Sequence, residues 1–249
     1  MNKAVKKVFI FDLDGTLTES RVPIAKDTAD LLSRLFEEKI VAVISGAVFS
    51  RFEVQFLSGF RSTANFEHLF LLPTSGAELR KYTNGAWKIV YQEKIPDDIR
   101  AKVIYEIAKL ADISRGEERK FIDDRVGQVT YAGLGIEAPL EEKKKYDPDE
   151  KKRRDFIAKI APLFSELSFH MGGLSSIDIT PRGVDKAFGV KKLLEHVGAD
   201  LSEALFVGDA LYKGGNDEAA KASGVDILAT SGPEETKKII LEFLKQNEK

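Results

Sequence analysis

The 249-residue sequence contains no cysteine, and this absence excludes several kinds of chemistry. Disulfides, thiol nucleophiles and cysteine-ligated zinc sites all require thiols. A chain without disulfides suits a reducing compartment, so we expect a cytoplasmic protein. Histidine is also scarce. His68, His170 and His196 are scattered along the chain, which argues against a histidine-ligated metal site.

Long hydrophobic runs and a strong charge of one sign are missing too. The first apolar run ends at Asp12 and is too short for a signal peptide, and no apolar stretch approaches the roughly 20 residues that span a bilayer. The formal net charge is -2, which gives no field to attract nucleic acid or an acidic membrane. Residues 141–154 are densely charged but mix both signs, as a solvated surface does. We expect a globular protein with neither nucleic acid nor a membrane as partner, and its oligomeric state stays open.

What the sequence does contain is an alternation of apolar strands and amphipathic helices. Continuous apolar runs, typical of strands buried on both faces of a parallel sheet, occur at 8–11, 40–44, 69–72 and 204–207, and a short strand is predicted at 226–228. Helical patterns occur at 26–38, 48–56, 186–197, 216–222 and from 234. This order favours an α/β fold with a doubly wound, Rossmann-like parallel sheet.

A different pattern occupies the middle of the chain. Asn84-Gly85, between two strand-like segments, signals a β-hairpin. Further strands are predicted at 121–131 and 175–179, and helices at 97–111 and 149–164. Antiparallel strands mixed with helices indicate an inserted α+β domain. We therefore predict a core made of residues 1–83 and 185–249, with an α+β cap at 84–184.

Two aspartates follow the first predicted strand, in the string Phe11-Asp12-Leu13-Asp14-Gly15-Thr16-Leu17-Thr18. Ligands of open α/β sheets bind beyond the carboxyl ends of the strands. There, an ionised Asp12 can attack phosphorus as a nucleophile while Asp14 holds a proton for the leaving oxygen. Gly15 permits the sharp turn that brings the second carboxylate back over the site. A bare Asp-x-Asp would fit an acidic helix cap equally well, but the full string after a buried strand favours catalysis.

Two further segments offer groups that can bind a phosphoryl oxygen. Ser45-Gly46 ends the second strand with a hydroxyl and a backbone N–H, and Lys186 supplies an ammonium that offsets negative charge. Each signal is weak alone, because serine is also a common helix N-cap and most lysines are solvated. The predicted phosphate-binding residues are Asp12, Gly15, Thr16, Ser45, Gly46 and Lys186, and Lys186 joins Asp12 and Asp14 as the predicted catalytic set.

Asp209 and Asp217 bracket a glycine-containing loop after another buried strand. Mg²⁺ prefers oxygen ligands in octahedral geometry and usually keeps several waters. We predict a Mg²⁺ site formed by Asp12, the backbone carbonyl of Asp14, Asp209 and Asp217. In isolation, the 208–217 segment would also fit a turn followed by the start of a helix.

These motifs, in this order and each at the end of a strand, resemble those of the haloacid-dehalogenase superfamily. The inserted domain is similar to the superfamily's type IIB cap. Segments 12–21, 170–178, 183–186 and 208–217 further resemble the eukaryotic-type phosphomannomutases. The resemblance extends over the whole chain and implies Mg²⁺-dependent phosphoryl transfer through an aspartyl-phosphate on Asp12.

The resemblance also implies which residues bind the substrate. Arg21 would hold the substrate near the core, and Arg125, Ser176 and Asp178 would bind a sugar phosphate in the cap. Lys143 is added to this set because of a departure from the family pattern, described next.

The mutases of this group carry two further cap arginines, at positions that align with Ile136 and Lys143. Arginine binds phosphate in a bidentate manner, lysine binds it as a point charge, and isoleucine does not bind it. A mutase must retain a bisphosphorylated sugar while the sugar turns round, so a reduced second phosphate site favours hydrolysis.

We therefore interpret the chain as a Mg²⁺-dependent phosphatase of a small phosphorylated metabolite, with a sugar phosphate as the first candidate. The alternative is a hexose phosphomutase of the phosphomannomutase type, which shares every core residue and differs in what accepts the phosphoryl group. A non-catalytic sugar-phosphate sensor is a remote third hypothesis, because pure binding needs no nucleophile beside an acid.

Overall fold

The computed structural model describes residues 5–247, and the chain divides into two compact units. The first unit consists of Met1–Gln92 and Asp185–Lys249, and the second of Glu93–Val184. Each unit contains a sheet of its own. Among residues 5–247, no helix combines the length and the hydropathy that crossing a bilayer requires.

The strands and helices are numbered here in chain order. Strands β1 to β11 are Val8–Asp12, Ile40–Ile44, Leu69–Leu72, Glu78–Thr83, Ala86–Gln92, Ile122–Asp124, Val129–Ala132, Leu167–Gly172, Ser176–Pro181, Ala204–Gly208 and Asp226–Ala229. Helices α1 to α8 are Lys26–Glu38, Phe49–Gln55, Asp97–Leu110, Glu118–Phe121, Leu140–Tyr146, Lys151–Ile160, Lys186–Val197 and Pro233–Asn247.

The first unit is built on a seven-stranded sheet in the order β11-β10-β1-β2-β3-β4-β5. Pairing is parallel from β11 to β3 and antiparallel from β3 to β5. Alternate side chains of β1 enter different cores: Phe9 and Phe11 pack with residues of α1 and α8, whereas Val8 and Ile10 pack with residues of α7. Burial on both faces explains the continuous apolar run. The predicted doubly wound α/β fold is confirmed.

The hairpin at Asn84-Gly85 belongs to this core sheet instead of the inserted domain. Strand β4 pairs with β3, and β5 pairs with β4. The chain reverses after β3 through Thr74, Ser75 and Gly76, whose φ angles of 51°, 57° and 91° are all positive. The second unit therefore begins at Glu93, later than the cap boundary expected at residue 84. Although β3 immediately precedes the hairpin along the chain, the hairpin's own sequence does not indicate which strand it pairs with.

The second unit contains a four-stranded antiparallel sheet in the order β6-β7-β9-β8. Its apolar face packs against helices α3 and α6, with Val103, Ile107 and Ile160 on the helical side and Val129 and Ile177 on the strand side. The opposite face carries polar side chains at alternate positions. The inserted unit is thus an α+β domain with one covered and one polar sheet face.

Several elements differ from their prediction, among them two short helices, Glu118–Phe121 and Leu140–Tyr146, that were not predicted. The strand expected at 121–131 is two strands, β6 and β7, with Val126 at a φ of 65° in the turn between them. Strand β8 was not predicted, because Leu167–Gly172 contains no β-branched residue. The helix expected at 216–222 is a 3₁₀ segment, Glu218–Ser223.

Candidate active site

Three parallel strands of the core sheet bring the predicted motifs to one edge. Asp12, at the end of β1, lies in register with Ile44 of β2, and Phe11 lies in register with Val207 of β10. Because the strands are parallel, the residues that follow them emerge at the same carboxyl edge. The loop that begins at Ser45 and the loop that begins at Asp209 therefore flank Asp12.

Lys186, the first residue of α7, lies between two aspartates. Its Nζ donates to Oδ1 of Asp12 and to Oδ1 of Asp217, at 2.5 Å each. All three residues are buried. Oδ2 of Asp217 accepts the backbone N–H of Ala210 at 3.1 Å, so both oxygens of that carboxylate are engaged. Oδ2 of Asp12 is buried and has no hydrogen-bond partner among residues 5–247, which leaves it available to a phosphorus atom or a metal ion.

The electrostatics of this cluster call for a second cation. Burial, followed by the negative charge of Asp217, raises the pKa of Asp12 and also that of Asp209. Burial would lower the pKa of Lys186, but the charges of Asp12 and Asp217 outweigh it and raise that pKa, so the ammonium stays protonated. The three carboxylates and one ammonium leave two negative charges uncompensated. One divalent cation would neutralise both.

The donor set suits Mg²⁺. Carboxylate oxygens of Asp12, Asp209 and Asp217 lie within 4.8 Å of one another, and all are hard oxygen ligands. Both carboxylate oxygens of Asp217 already accept hydrogen bonds, one from Lys186 and one from Ala210. Asp12 and Asp209 are therefore better placed than Asp217 to ligate the ion directly.

Gly15 and Thr16 connect the loop after β1 to the loop after β10. Thr16 Oγ1 accepts the backbone N–H of Asp209 at 3.0 Å and donates to Oδ1 of Asp209 at 3.1 Å. Gly15 has a φ of 90°, and a Cβ at this position would lie 2.5 Å from Oδ2 of Asp209. The Thr16 hydroxyl is therefore engaged in orienting Asp209, and a phosphate would meet the backbone of Thr16 instead.

Asp14 is held by two donors on one oxygen. Its Oδ1 accepts the backbone N–H of Arg21 at 2.9 Å and the amide Nε2 of Gln55 at 2.8 Å. Arg21 adopts a left-handed φ of 62°, which costs roughly 1–2 kcal/mol for a residue with a Cβ. Nε2 of Gln55 also donates to Oγ1 of Thr18 at 2.9 Å. The sequence contained no signal for Gln55, because its contacts with Asp14 and Thr18 join segments that are far apart along the chain.

The loop that begins at Ser45 is supported by the left-handed turn after β3. The Ser45 carbonyl accepts the backbone N–H of Ser75 at 2.9 Å, and the Ala47 carbonyl accepts that of Thr74 at 2.9 Å. Ser45 Oγ accepts the backbone N–H of Ala47 at 3.1 Å, so its own hydroxyl hydrogen can be donated to a phosphoryl oxygen. Gly46 follows in the same loop, half-buried.

The position of Lys186 is fixed by the first turn of α7. Asp185 caps this helix, because its Oδ1 accepts the backbone N–H of Phe188 at 2.9 Å. Gly189 lies against Gly76 so closely that a Cβ on Gly189 would be 2.8 Å from the Cα of Gly76. Two glycines thus allow α7 to pack on the left-handed turn and place Lys186 at the carboxyl edge.

The residues predicted to bind substrate in the cap lie in the second unit. Asp178 of β9 is in register with Thr130 of β7, whose Oγ1 donates to Oδ1 of Asp178 at 2.8 Å. Arg125 Nε pairs with Asp123 at 2.8 Å. Ser176 Oγ donates to a backbone carbonyl of β8 at 2.6 Å. Ser176 and Asp178 lie on β9, and Arg125 directly follows β6 of the same sheet. All three belong to a different compact unit from Asp12.

Comparison with known proteins identifies the family. The family described as eukaryotic phosphomannomutase matches residues 28–246. The chain belongs to the eukaryotic phosphomannomutase family. It is 29% identical over 256 residues to a phosphomannomutase of Spinacia oleracea, with 97% of each chain covered. It is 28% identical over 259 residues to a phosphomannomutase of Encephalitozoon cuniculi (strain GB-M1), which covers 99% of this chain and 96% of the relative.

The fold is also that of solved haloacid-dehalogenase structures. A haloacid dehalogenase-like hydrolase from Bacteroides thetaiotaomicron superposes with a TM-score of 0.62 at 18% identity, over 95% of this chain and 99% of the other. Together with membership of the phosphomannomutase family, this fold makes the chain an enzyme of the haloacid-dehalogenase phosphotransferase kind.

Within the phosphomannomutase family, the structure gives a role to the residues that depart from the pattern. Lys143 Nζ donates to the backbone carbonyl of Ile136 at 2.8 Å. The Lys143 ammonium, which was expected to replace a phosphate-binding arginine, is thus hydrogen-bonded to the backbone of the cap. Its acceptor is the carbonyl of Ile136, the other position that aligns with an arginine of the mutases.

Proposed function

We propose that this protein is a phosphomutase that interconverts hexose phosphates through an aspartyl-phosphate on Asp12. The observation that carries the proposal is the buried nucleophile: Asp12 Oδ1 is held by Lys186 at 2.5 Å, while Oδ2 has no hydrogen-bond partner among residues 5–247. Membership of the phosphomannomutase family supports this alternative better than the phosphatase that the sequence analysis favoured. The substrate would be a small phosphorylated sugar, met in the cytoplasm.

In the first half-reaction, Oδ2 of Asp12 attacks the phosphorus atom of one phosphate of a hexose bisphosphate, so that a hexose monophosphate is left. The bond from phosphorus to the sugar oxygen breaks, and Asp14 gives its proton to that oxygen, which leaves as a hydroxyl. Lys186 and the Ser45 hydroxyl offset the charge on the transferring group. Because the negative charge of the phosphoryl group is offset, this group repels the buried carboxylate of Asp12 less, and the attack becomes feasible.

In the second half-reaction, the free hydroxyl of a hexose monophosphate attacks the phosphorylated Asp12, so that the sugar leaves Asp12 as a bisphosphate. Asp14 now accepts the proton of that hydroxyl, the phosphoryl group moves to the sugar, and the carboxylate of Asp12 is restored. The bisphosphate turns round and passes its other phosphoryl group to Asp12 in the next cycle. Asp14 thus acts as acid and then as base. Arg21, Arg125, Ser176 and Asp178 would hold the sugar phosphate during the exchange.

Asp12, Asp209 and the backbone carbonyl of Asp14 would hold Mg²⁺, while Asp217 accepts a hydrogen bond from Lys186. When bound, the ion supplies neutralisation of the phosphoryl oxygens and of the carboxylate cluster.

A phosphatase is the second candidate, and one contact favours it. A mutase has to retain the bisphosphorylated sugar, and the bond from Lys143 to the Ile136 carbonyl competes with phosphate for the only cation at these two positions. Each missing bidentate contact weakens retention by about 1.5–3 kcal/mol, which is on the order of tenfold to a hundredfold. Water would then replace the sugar hydroxyl as acceptor.

A ³¹P NMR time course separates the two reactions. The substrates are mannose 1-phosphate and glucose 1-phosphate with Mg²⁺, with and without a hexose 1,6-bisphosphate primer. We expect the 6-phosphate to accumulate ahead of inorganic phosphate, and to do so faster with the primer. Inorganic phosphate ahead of the 6-phosphate would establish the phosphatase, and no phosphorus chemistry at all would favour a sensor. Asp12→Asn serves as the control that removes the nucleophile and keeps the shape.

A further inference from the structure

We infer that Gln55 is a positioning residue for Asp14, which it holds in the orientation required for both of its proton transfers. This inference rests on the proposed role of Asp14 as acid and base. Gln55 is the last residue of α2 and is only 3% exposed, although glutamine is a residue that usually stays at the surface. Its burial beside the site therefore requires an explanation.

The side-chain amide of Gln55 donates both of its hydrogens to the loop that carries Asp14. Nε2 donates to Oδ1 of Asp14 at 2.8 Å and to Oγ1 of Thr18 at 2.9 Å. The same Oδ1 accepts the backbone N–H of Arg21, so one oxygen of the carboxyl group is fixed from two directions. The other oxygen, Oδ2, takes no part in these bonds and is left to carry the proton.

The carbonyl oxygen of the Gln55 side chain disfavours folding. Oε1 is buried and has no hydrogen-bond partner within residues 5–247. A methionine of similar volume would fill the same space without an unpaired carbonyl, and would be preferred if α2 only had to pack. A local choice that disfavours folding at a site is typical of residues kept for function.

A neutral amide is the donor that this task requires. Asp14 is protonated before the sugar oxygen leaves and ionised afterwards, and Oδ1 can accept a hydrogen bond in either state. Gln55 can therefore keep the carboxyl group in place through both half-reactions.

The test is the dependence on the leaving group in Gln55→Met. A sugar alkoxide is a poor leaving group and needs the proton of Asp14, whereas nitrophenolate leaves without being protonated. Formation of the phosphoenzyme in a single turnover is measured with hexose 1,6-bisphosphate and with 4-nitrophenyl phosphate, both with Mg²⁺. We expect the rate with the sugar to fall about tenfold to a hundredfold, which is part of the roughly hundredfold to ten-thousandfold contribution of general acid catalysis. The rate with the nitrophenyl ester should fall less than about threefold.

Two controls make the result specific. Gln92→Met removes an amide that donates to Glu78 at 2.7 Å, away from Asp14, and should change neither rate. Gln55→Asn keeps an amide that is too short to reach Asp14, so it should reproduce the pattern of Gln55→Met and serves if the methionine variant does not fold.

Equal losses with both phosphate donors would show that Gln55 supports the fold of α2, and the inference would be overturned. Unchanged rates with both would overturn it as well. Asp14→Asn separates this failure from a failure of the proposed function. If Asp14→Asn shows the leaving-group dependence and the Gln55 variants do not, only the inference about Gln55 is lost. If Asp14→Asn shows none, the acid–base role itself is wrong.

Discussion

One ammonium group organises the chemistry at the scale of single residues. Lys186 lies within hydrogen-bond distance of two buried carboxylates, and one oxygen of Asp12 has no hydrogen-bond partner in the part of the chain that the structure describes. The residue types and their positions at strand ends were predictable from the sequence, because a buried apolar strand followed by a carboxylate is a local pattern. The bond between Lys186 and Asp217 was not, because it depends on how α7 packs.

Lys186→Met should expose the charge imbalance of the site. Removing the cation leaves Asp12 and Asp217 buried and unpaired, and breaking a buried ion pair in this way costs about 3–5 kcal/mol. We expect activity to fall at least about a hundredfold and the melting temperature to fall in EDTA. Adding Mg²⁺ should raise the melting temperature of the variant more than that of the native protein, because a divalent cation supplies the missing charge. An equal rise in both proteins would contradict the charge count.

Gly15→Ala tests the contact between the two loops that would hold the ion. The new Cβ would lie 2.5 Å from Oδ2 of Asp209, so the carboxylate must move. We expect the Mg²⁺ concentration for half-maximal activity to rise about tenfold to a hundredfold, which is the usual cost of disturbing a group that orients a ligand. Gly85→Ala is the matched control, because Gly85 has a φ of 77° and no atom within 4 Å of its Cβ position. A similar rise in the control would attribute the effect to backbone strain alone.

At the scale of secondary-structure elements, the helices and the parallel strands were predictable and the cap sheet was less so. Periodic apolar positions place α1 and α7 correctly, with bounds of Lys26–Glu38 and Lys186–Val197. Strand β8 lacks β-branched residues, and the β4–β5 hairpin joins a sheet edge that no local pattern reveals. Each strand pairs with its neighbour along the chain, β8 with β9 and β4 with β3, but the residue types do not indicate these pairings. This is why the second unit begins at Glu93 and not at residue 84.

Gly189→Ala should displace the element that carries Lys186. A Cβ at Gly189 would lie 2.8 Å from the Cα of Gly76, and backbone atoms cannot move aside as a flexible side chain can. Overpacking of this kind costs about 1–3 kcal/mol, and we expect kcat to fall more than KM changes. Lys191→Ala, at an exposed position of the same helix, is the control for helix content. A loss of stability with unchanged kcat would show that the packing does not position Lys186.

A buried ion pair stabilises the second unit. Arg153 Nε bonds Oδ2 of Asp147 at 2.8 Å, and Arg153 also donates to the Gly173 carbonyl at 2.8 Å. Burial would raise the pKa of Asp147, but hydrogen bonds from the Arg153 side chain and from backbone N–H groups outweigh it and lower that pKa. A lowered pKa stabilises the folded state above the ordinary value of 3.8, and this contribution is lost as the pH falls through the lower folded value.

Arg153→Met should therefore weaken the second unit at neutral pH. We expect a loss of about 3–5 kcal/mol in the local free energy of unfolding, because Asp147 would stay buried without its partner. Hydrogen exchange of backbone amides in Glu93–Val184, measured in the full chain, reports this loss. The difference from the native protein should shrink below about pH 4, where Asp147 becomes protonated in the variant. A difference that stays constant down to pH 2 would contradict the assignment.

At the scale of the whole molecule, the sequence predicted the fold class, the family and the kind of enzyme, and it favoured hydrolysis where the family favours a mutase. The reason lies in two positions, Ile136 and Lys143. Their residue types are visible in the sequence, but the bond from Lys143 to the Ile136 carbonyl is visible only in the structure. What accepts the phosphoryl group depends on how long the sugar is retained, and residue types alone do not fix a residence time.

Trapping of the phosphoenzyme tests phosphoryl transfer through Asp12 most directly. The enzyme is mixed with hexose 1,6-bisphosphate and Mg²⁺, quenched in acid within milliseconds and treated with borohydride, which reduces an aspartyl-phosphate to homoserine. Peptide mass spectrometry then locates the reduced residue. Covalent transfer predicts homoserine at position 12 in the native protein and none in Asp12→Asn, whose turnover should fall at least about a thousandfold while its fold is retained. Turnover in Asp12→Asn above a few per cent of the native rate, or a phosphorylated residue elsewhere in the chain, would contradict it.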